Sequence, residues 1–270
     1  KSKQHPNGLG NTSDLIGKYL HDSTGGDMMA FIPELIDRKI YNEDGVGGMH
    51  VYSPWWLDNK KLDFARGYHI EVWGGLGAPS YGTGFNVNGF NKFFGLKKAG
   101  GYGDVLRSDM KKYYGSTIGL SGRGESIAQK NNYCEIDPKK VDKYGVPVLR
   151  FNYKWTDNEI KQAKHMQDTF EEIIHNMGGI PLWGKPGKES NYGINNPGWI
   201  IHEVGTTRMG SDSKNSVVNQ FEQLHDVSNV FVVDAGPFVS QADKNPTWTI
   251  MALAWRSSEY IIEQFKKQNF

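Results

Sequence analysis

Glycine cuts this chain into short pieces. It makes up 33 of 270 residues, well above the usual ~7%, and much of it falls between Met28 and Gly103. A chain so interrupted cannot be a bundle of long helices. Short strands joined by tight turns are expected there, including Ala30–Ile32 and His50–Tyr52. Long helices are expected only where glycine is absent. The clearest runs from Asp157 to Met177, where Ile160, Ala163, Met166, Phe170, Ile173, Ile174 and Met177 form one stripe at three- and four-residue spacing. Thr156 or Asp157 can cap its start and Gly178-Gly179 ends it. A second long helix is expected over Thr247–Lys267, with Asn245 as N-cap and Pro246 at the first helical position, where a missing N–H costs nothing. A short helix from Ser13 to Leu20 and one beyond Asp104 complete the set.

Between Tyr113 and Trp155 the pattern is antiparallel sheet, with pieces at Ser116–Leu120, Asn132–Ile136 and Pro147–Trp155. Asp137-Pro138 and Tyr144-Gly145 read as turns, and Phe151, Tyr153 and Trp155 as the buried face of the last strand. The apolar run Val230–Val233, closed by Asp234, suits a buried parallel strand. A strand, a loop and a Pro-started helix in that order end an α/β unit. Ligands in such sheets bind beyond the strand ends, against helix N-termini that favour anions.

Composition narrows the function. The chain is 37% hydrophobic and 23% charged with net charge +1, an ordinary globular balance that gives neither nucleic acid nor an anionic membrane surface any electrostatic purchase. No apolar run approaches the ~18 residues of a bilayer span. Cys134 is the only cysteine, which rules out an intramolecular disulfide and a cysteine-built zinc site; no metal ligands are assigned. Aromatics are 13% with eight Trp, which suggests an aromatic-lined cavity or aromatic core filler. Lys1–Gly10 has no Met, no apolar leader core and no twin arginine. It reads like the middle of a longer protein and leaves the compartment open between cytoplasm and periplasm.

The residues that can carry chemistry lie between Ile201 and Arg256. His202 precedes a turn at Gly205, so its ring can project from a loop, and a neutral imidazole can take the proton of an alcohol hydroxyl. Asn245 can donate to the same oxygen. Either feature alone has an ordinary structural explanation. Together, I-H-E-V-G-T-T-R-M-G (201–210), V-F-V-V-D-A (230–235) and N-P-T-W-T-I-M-A-L-A-W-R (245–256) resemble the C-terminal signature of the glucose–methanol–choline (GMC) oxidoreductases. Pro6–Leu20, Leu62–Tyr68 and Gly119–Ala128 are similar to further family segments.

The resemblance implies an α/β protein: the C-terminal part of an FAD-binding Rossmann-like domain plus an α+β substrate domain, an antiparallel sheet backed by helices. Residues 1–27 and 191–270 would belong to the FAD-binding domain and 28–190 to the substrate domain. It places His202 as catalytic base and Asn245 as its partner. Asp234 and Ala235 would lie along the ribityl and pyrophosphate of FAD, and Asn245, Pro246 and Thr247 at the flavin. The implied activity is oxidation of a CH–OH group in an alcohol, sugar or polyol, with hydride passing to FAD N5 and His202 taking the proton. An electron-acceptor subunit, cytochrome or quinone-linked, is a further implied partner. His21 receives no role, because the family's Asp-His or Glu-His after this segment is replaced here by Leu20-His21-Asp22-Ser23.

One departure matters. The dinucleotide fingerprint G-x-G-x-x-G is absent: the Gly-x-Gly at 8, 82, 101 and 122 are followed at the third glycine position by Ser13, Val87, Leu106 and Ile127. The 270 residues are therefore expected to be part of a longer enzyme and, alone, to bind FAD weakly and be inactive. The alternative reading is a non-catalytic carbohydrate-binding or scaffolding module, for which the 201–256 block would have no use.

Overall fold

The computed structural model describes residues 2–36, 38, 51–54, 61–74, 103–113 and 115–269. The expectations for His50 and for 82–101 lie outside them. The chain divides into two compact units, one of Lys1–Thr24, Gly124–Glu159 and Asn195–Phe270, the other of Gly25–Arg123 and Ile160–Ile194. Residues 124–159 thus join the first unit rather than the 28–190 segment.

The second unit holds a five-stranded sheet of β1 (Thr24–Phe31), β2 (Val51–Pro54), β3 (Tyr68–Gly74), β4 (Thr117–Gly124) and β7 (Ile180–Pro181), in the order β2-β3-β4-β1-β7. The β2–β3 and β1–β7 pairs are antiparallel. α1 (Asp104–Tyr113) precedes β4, and α2 (Asp157–Asn176) enters this unit after Glu159. One sheet face is apolar: Met28, Ala30, Tyr68, Ile70, Ile118 and Leu120 pack with Met166, Phe170 and Ile174 of α2. That is the core stripe expected of the helix, burying the alternate residues of three strands. Met177, at the far end of the stripe, is exposed. At the start of α2 Thr156 donates its N–H (2.8 Å) and hydroxyl (2.5 Å) to Glu159 Oε2, and Gly178 leaves the helix at φ +65°. The other sheet face carries His69, Glu71, Ser121 and Arg123, joined by His69–Glu71 (3.3 Å) and Arg123–Glu71 (3.7 Å) contacts.

In the first unit β5 (Tyr133–Val141) and β6 (Pro147–Asn152) form an antiparallel ribbon of their own. Asp137-Pro138 does not turn the chain. β5 runs through it with a register shift, and the turn falls at Asp142–Val146, where Asp142 Oδ1 accepts the N–H of Tyr144 (2.8 Å) and Val146 (3.0 Å). β6 ends at Asn152, so Tyr153 and Trp155 lie beyond it and Phe151 is exposed. The Ser13–Leu20 segment is not a helix. Asp14 (φ 57°), Gly17 (φ 85°) and Tyr19 (φ 59°) turn it back on itself, and a side chain at 17 would meet Cys134 O at 2.1 Å. Val230–Val233 is not a parallel strand either. Val230 and Val232 pack on Leu15, Val217, Val218 and Leu224, Phe231 makes one antiparallel bridge to Gln223, and Val233 is exposed. Burial is one-sided, where a central parallel strand needs both faces covered.

α3 (Thr247–Lys266) is the last helix. Its N-cap is Pro246, one residue later than the sequence suggested, with no side-chain cap. Phe221 stacks on Tyr260 with ring centroids 4.0 Å apart, and Ser257 donates to Glu222 Oε2 (2.7 Å). No described helix is long and apolar enough to cross a membrane.

Candidate active site

The site lies within the first unit and is built from three loops. The strand-like bridge between His21 and Val204 sets two of them side by side: His21 N–H donates to Val204 O (3.1 Å) and Val204 N–H to His21 O (2.8 Å). Gly205 permits the close approach. Its φ is +97°, and a Cβ there would lie 2.3 Å from Tyr19 O. The bridge leaves Asp22 and Ser23 facing His202.

His202 is half-buried. Ser23 Oγ lies 3.4 Å from its Nδ1, and Asn245 Nδ2 lies 3.3 Å from its Nε2. The amide of Asn245 can only donate through Nδ2, so Nε2 is the acceptor and the ring proton sits on Nδ1, directed at Ser23. Residues 43 apart in sequence thus meet, and the amide of Asn245 is spent on the imidazole rather than on capping α3.

Asp22 is fully buried behind the ring. Oδ1 accepts the N–H of Ser23 (2.7 Å) and of His202 (3.0 Å), and Oδ2 accepts that of Gly198 (3.1 Å). Tyr153 OH accepts the N–H of Asp22 (3.0 Å), and Ser126 donates to its carbonyl (2.7 Å). Burial, helped by the nearby Glu203 carboxylate, raises the Asp22 pKa to about 6 against the opposing pull of the three N–H donors. Burial likewise lowers the pKa of His21, whose Nδ1 lies 2.7 Å from Tyr19 O. The sequence assigned no site role to Asp22, Ser23, Ser126 or Tyr153. The only available signal was the Leu20-His21-Asp22-Ser23 run itself.

Beside Asn245 opens a cavity of about 870 Å³, lined among others by Met209, Phe238, Gln241, Asn245, Pro246 and Thr249. Among the described residues Phe238 is its one aromatic lining residue, and four of the tryptophans (Trp183, Trp199, Trp248, Trp255) are exposed. The cavity has room for a flat cofactor ring, and the uncapped start of α3 at its edge offers N–H groups to an anionic group. Asn245 and Pro246 therefore fit a flavin. Thr247 starts α3 but does not line the cavity. Asp234 and Ala235 do not line it either: Asp234 Oδ1 accepts Gly236 N–H (2.7 Å), and Ala235 O accepts Gly205 N–H (3.3 Å), tying this loop to the His202 turn. Among the described residues no cluster of three or more His, Cys, Asp or Glu could hold a metal.

His202 and Asn245 thus form a contacting imidazole–carboxamide pair beside a cavity that Asn245 lines. Residues 129–254 match the family described as GMC oxidoreductase. It is 28% identical over 97% of its length to 2-methyl-1,2-propanediol dehydrogenase of Mycolicibacterium austroafricanum, covering 44% of that protein. It is 30% identical over 62% of its length to the gluconate 2-dehydrogenase flavoprotein of Pantoea cypripedii, covering 27% of it. Fructose dehydrogenase large subunit of Gluconobacter japonicus is 24% identical over 98% of the chain, which covers 44% of that protein. The chain therefore spans less than half the length of these curated relatives.

Proposed function

We propose that this chain carries the catalytic pair of a flavin-dependent oxidoreductase acting on the CH–OH group of an alcohol, sugar or polyol. The observation that carries the reading is the 3.3 Å contact between Asn245 Nδ2 and His202 Nε2 at the rim of the cavity. A substrate hydroxyl entering there meets an acceptor nitrogen and a donor amide together. His202 Nε2 takes the hydroxyl proton, Ser23 keeps the ring in the tautomer that leaves Nε2 basic, and Asn245 turns its amide to the substrate oxygen as negative charge grows there. FAD, when bound, supplies the two-electron acceptor. Asn245, Pro246 and Thr247 would hold its ring edge, and Asp234 and Ala235 its ribityl and pyrophosphate. A carbohydrate-binding module has no use for such a pair.

We further assign the unit holding His202 to the flavin side of the enzyme and the unit built on the five-stranded sheet to the substrate side. Relatives whose names are gluconate dehydrogenase flavoprotein and fructose dehydrogenase large subunit favour passage of the electrons to a partner subunit, cytochrome or quinone-linked. The test uses the full-length protein with a vicinal diol, an aldohexose, a ketohexose and an aldonate as substrates and an artificial dye as acceptor. His202→Ala should keep its flavin and lose about 10²–10⁴ in the chemical step. Unchanged turnover would remove His202 from the mechanism.

A further inference from the structure

We propose that Asp22 is a positioning residue for the base, its buried carboxylate holding the loop from which His202 projects. The inference rests on the reading of His202 as base. It starts from what a carboxylate is placed here to do. Asp22 is fully buried, and its two oxygens accept three backbone N–H groups. Two of these belong to Gly198 and His202, at either end of the loop that presents the imidazole. Its own backbone is pinned in turn, through the N–H by Tyr153 and through the carbonyl by Ser126. The next residue, Ser23, meets the ring at Nδ1. The Asp22-Ser23 pair therefore fixes the base twice, through its backbone and through its tautomer.

Only an ionised carboxylate suits this position. It is acceptor-only, so all three N–H groups find lone pairs. A carboxamide must turn its NH2 toward an N–H that is itself a donor, and a protonated acid accepts more weakly and has a hydrogen of its own to place. Burying the charge is costly, and the charged or titratable groups around Asp22 are Glu203, Tyr153 and the His202 ring, of which Glu203 opposes ionisation. The carboxylate consequently gains its proton near pH 6. Below that pH one oxygen carries a hydrogen and accepts more weakly, which loosens its hold on the 198–202 loop. The acid side of the rate profile then contains the ionisation of Asp22 as well as that of the base.

The test uses intact protein with ¹⁵N-labelled glycine. The backbone amide of Gly198, which donates to Asp22 Oδ2 and carries no titrating ring, should shift with pH around 6 in the wild type, the range set by Asp22, and should lose that titration in Asp22→Asn. On the best substrate of the panel, Asp22→Asn should lower kcat about tenfold to hundredfold, the scale of a base displaced by an ångström, with KM changed by less than about threefold. In a His202→Ala background the same substitution should change kcat by less than about twofold, because what it positions is gone. An equal loss of kcat with and without His202 overturns the proposal and leaves the base reading intact. Full activity of His202→Ala overturns the base reading first. Should Asp22→Asn fail to fold, the wild-type titration decides: a Gly198 amide that stays flat from pH 5 to pH 8 removes Asp22 from this role.

Discussion

At His202 the two ring nitrogens are committed in opposite senses, and this is what makes Asn245 testable on its own. The amide donates to Nε2 in the resting site and must leave the nitrogen when a substrate hydroxyl arrives. Two contributions then disappear in Asn245→Ala: the pre-set orientation of the ring and the donor that meets the developing oxyanion. Losing one such donor costs on the order of 10² in the chemical step. The expected outcome is a fall of that size in the limiting rate of flavin reduction, with flavin still bound. A fall in flavin content with no change in that rate would instead make Asn245 a cofactor contact. At this scale the sequence was informative for a simple reason. His202 and Asn245 sit in loops whose neighbours, Gly205 and Pro246, carry backbone constraints visible in the residue names. Asp22 had no such marker. An aspartate followed by serine is usually a solvated turn, and nothing local indicates that its side chain is buried under a loop some 180 residues away.

At the scale of elements the outcome divided by how each was stabilised. α2 was readable because its stripe repeats over five turns and buries Met166, Phe170 and Ile174 in one core. α3 was readable because Pro246 marks its first turn. The misread pieces were short. Ser13–Leu20 satisfies its backbone through distant partners, such as Gly17 N–H to Thr206 O (2.7 Å) and Leu20 N–H to Asn132 O (3.0 Å), which no local pattern encodes. Val230–Val233 has the composition of a buried strand, yet its alternate residues dock on a small cluster while Val233 stays exposed. Gly205 is the element whose failure would propagate furthest. Alanine there would need φ near +97° and would place its Cβ 2.3 Å from Tyr19 O and 2.6 Å from His21 Nδ1. Neither a backbone carbonyl nor a buried ring can swing aside. Gly205→Ala should cost about 3 kcal/mol, read as a lower urea midpoint, and should reduce turnover at the same time because the His21–Val204 bridge that aligns Asp22 with His202 is strained. A variant with wild-type stability would show that this backbone yields.

For the whole molecule, the decisive asymmetry is between what the chain offers a flavin and what a dinucleotide requires. It offers a ring-sized cavity and the uncapped start of a 20-residue helix. A dinucleotide pyrophosphate is ordinarily gripped by a glycine-rich turn between a strand and a helix. None of the Gly-x-Gly runs in the chain completes that pattern. Gly8-Leu9-Gly10 lies in a run of turns, where Gly10 already abuts Leu224, and Gly122-Arg123-Gly124 lies inside β4. The adenine and pyrophosphate half of FAD supplies much of the binding energy of such cofactors through that grip, so a site contacting the ring edge alone should hold the cofactor weakly. A polypeptide of these 270 residues, expressed by itself, should therefore purify without flavin absorbance, whereas the full-length protein should purify yellow. Equimolar FAD on the isolated 270-residue polypeptide would mean that the pyrophosphate is gripped by a different device within it, and the loops lining the cavity at 209–211 and 237–242 would be the place to look.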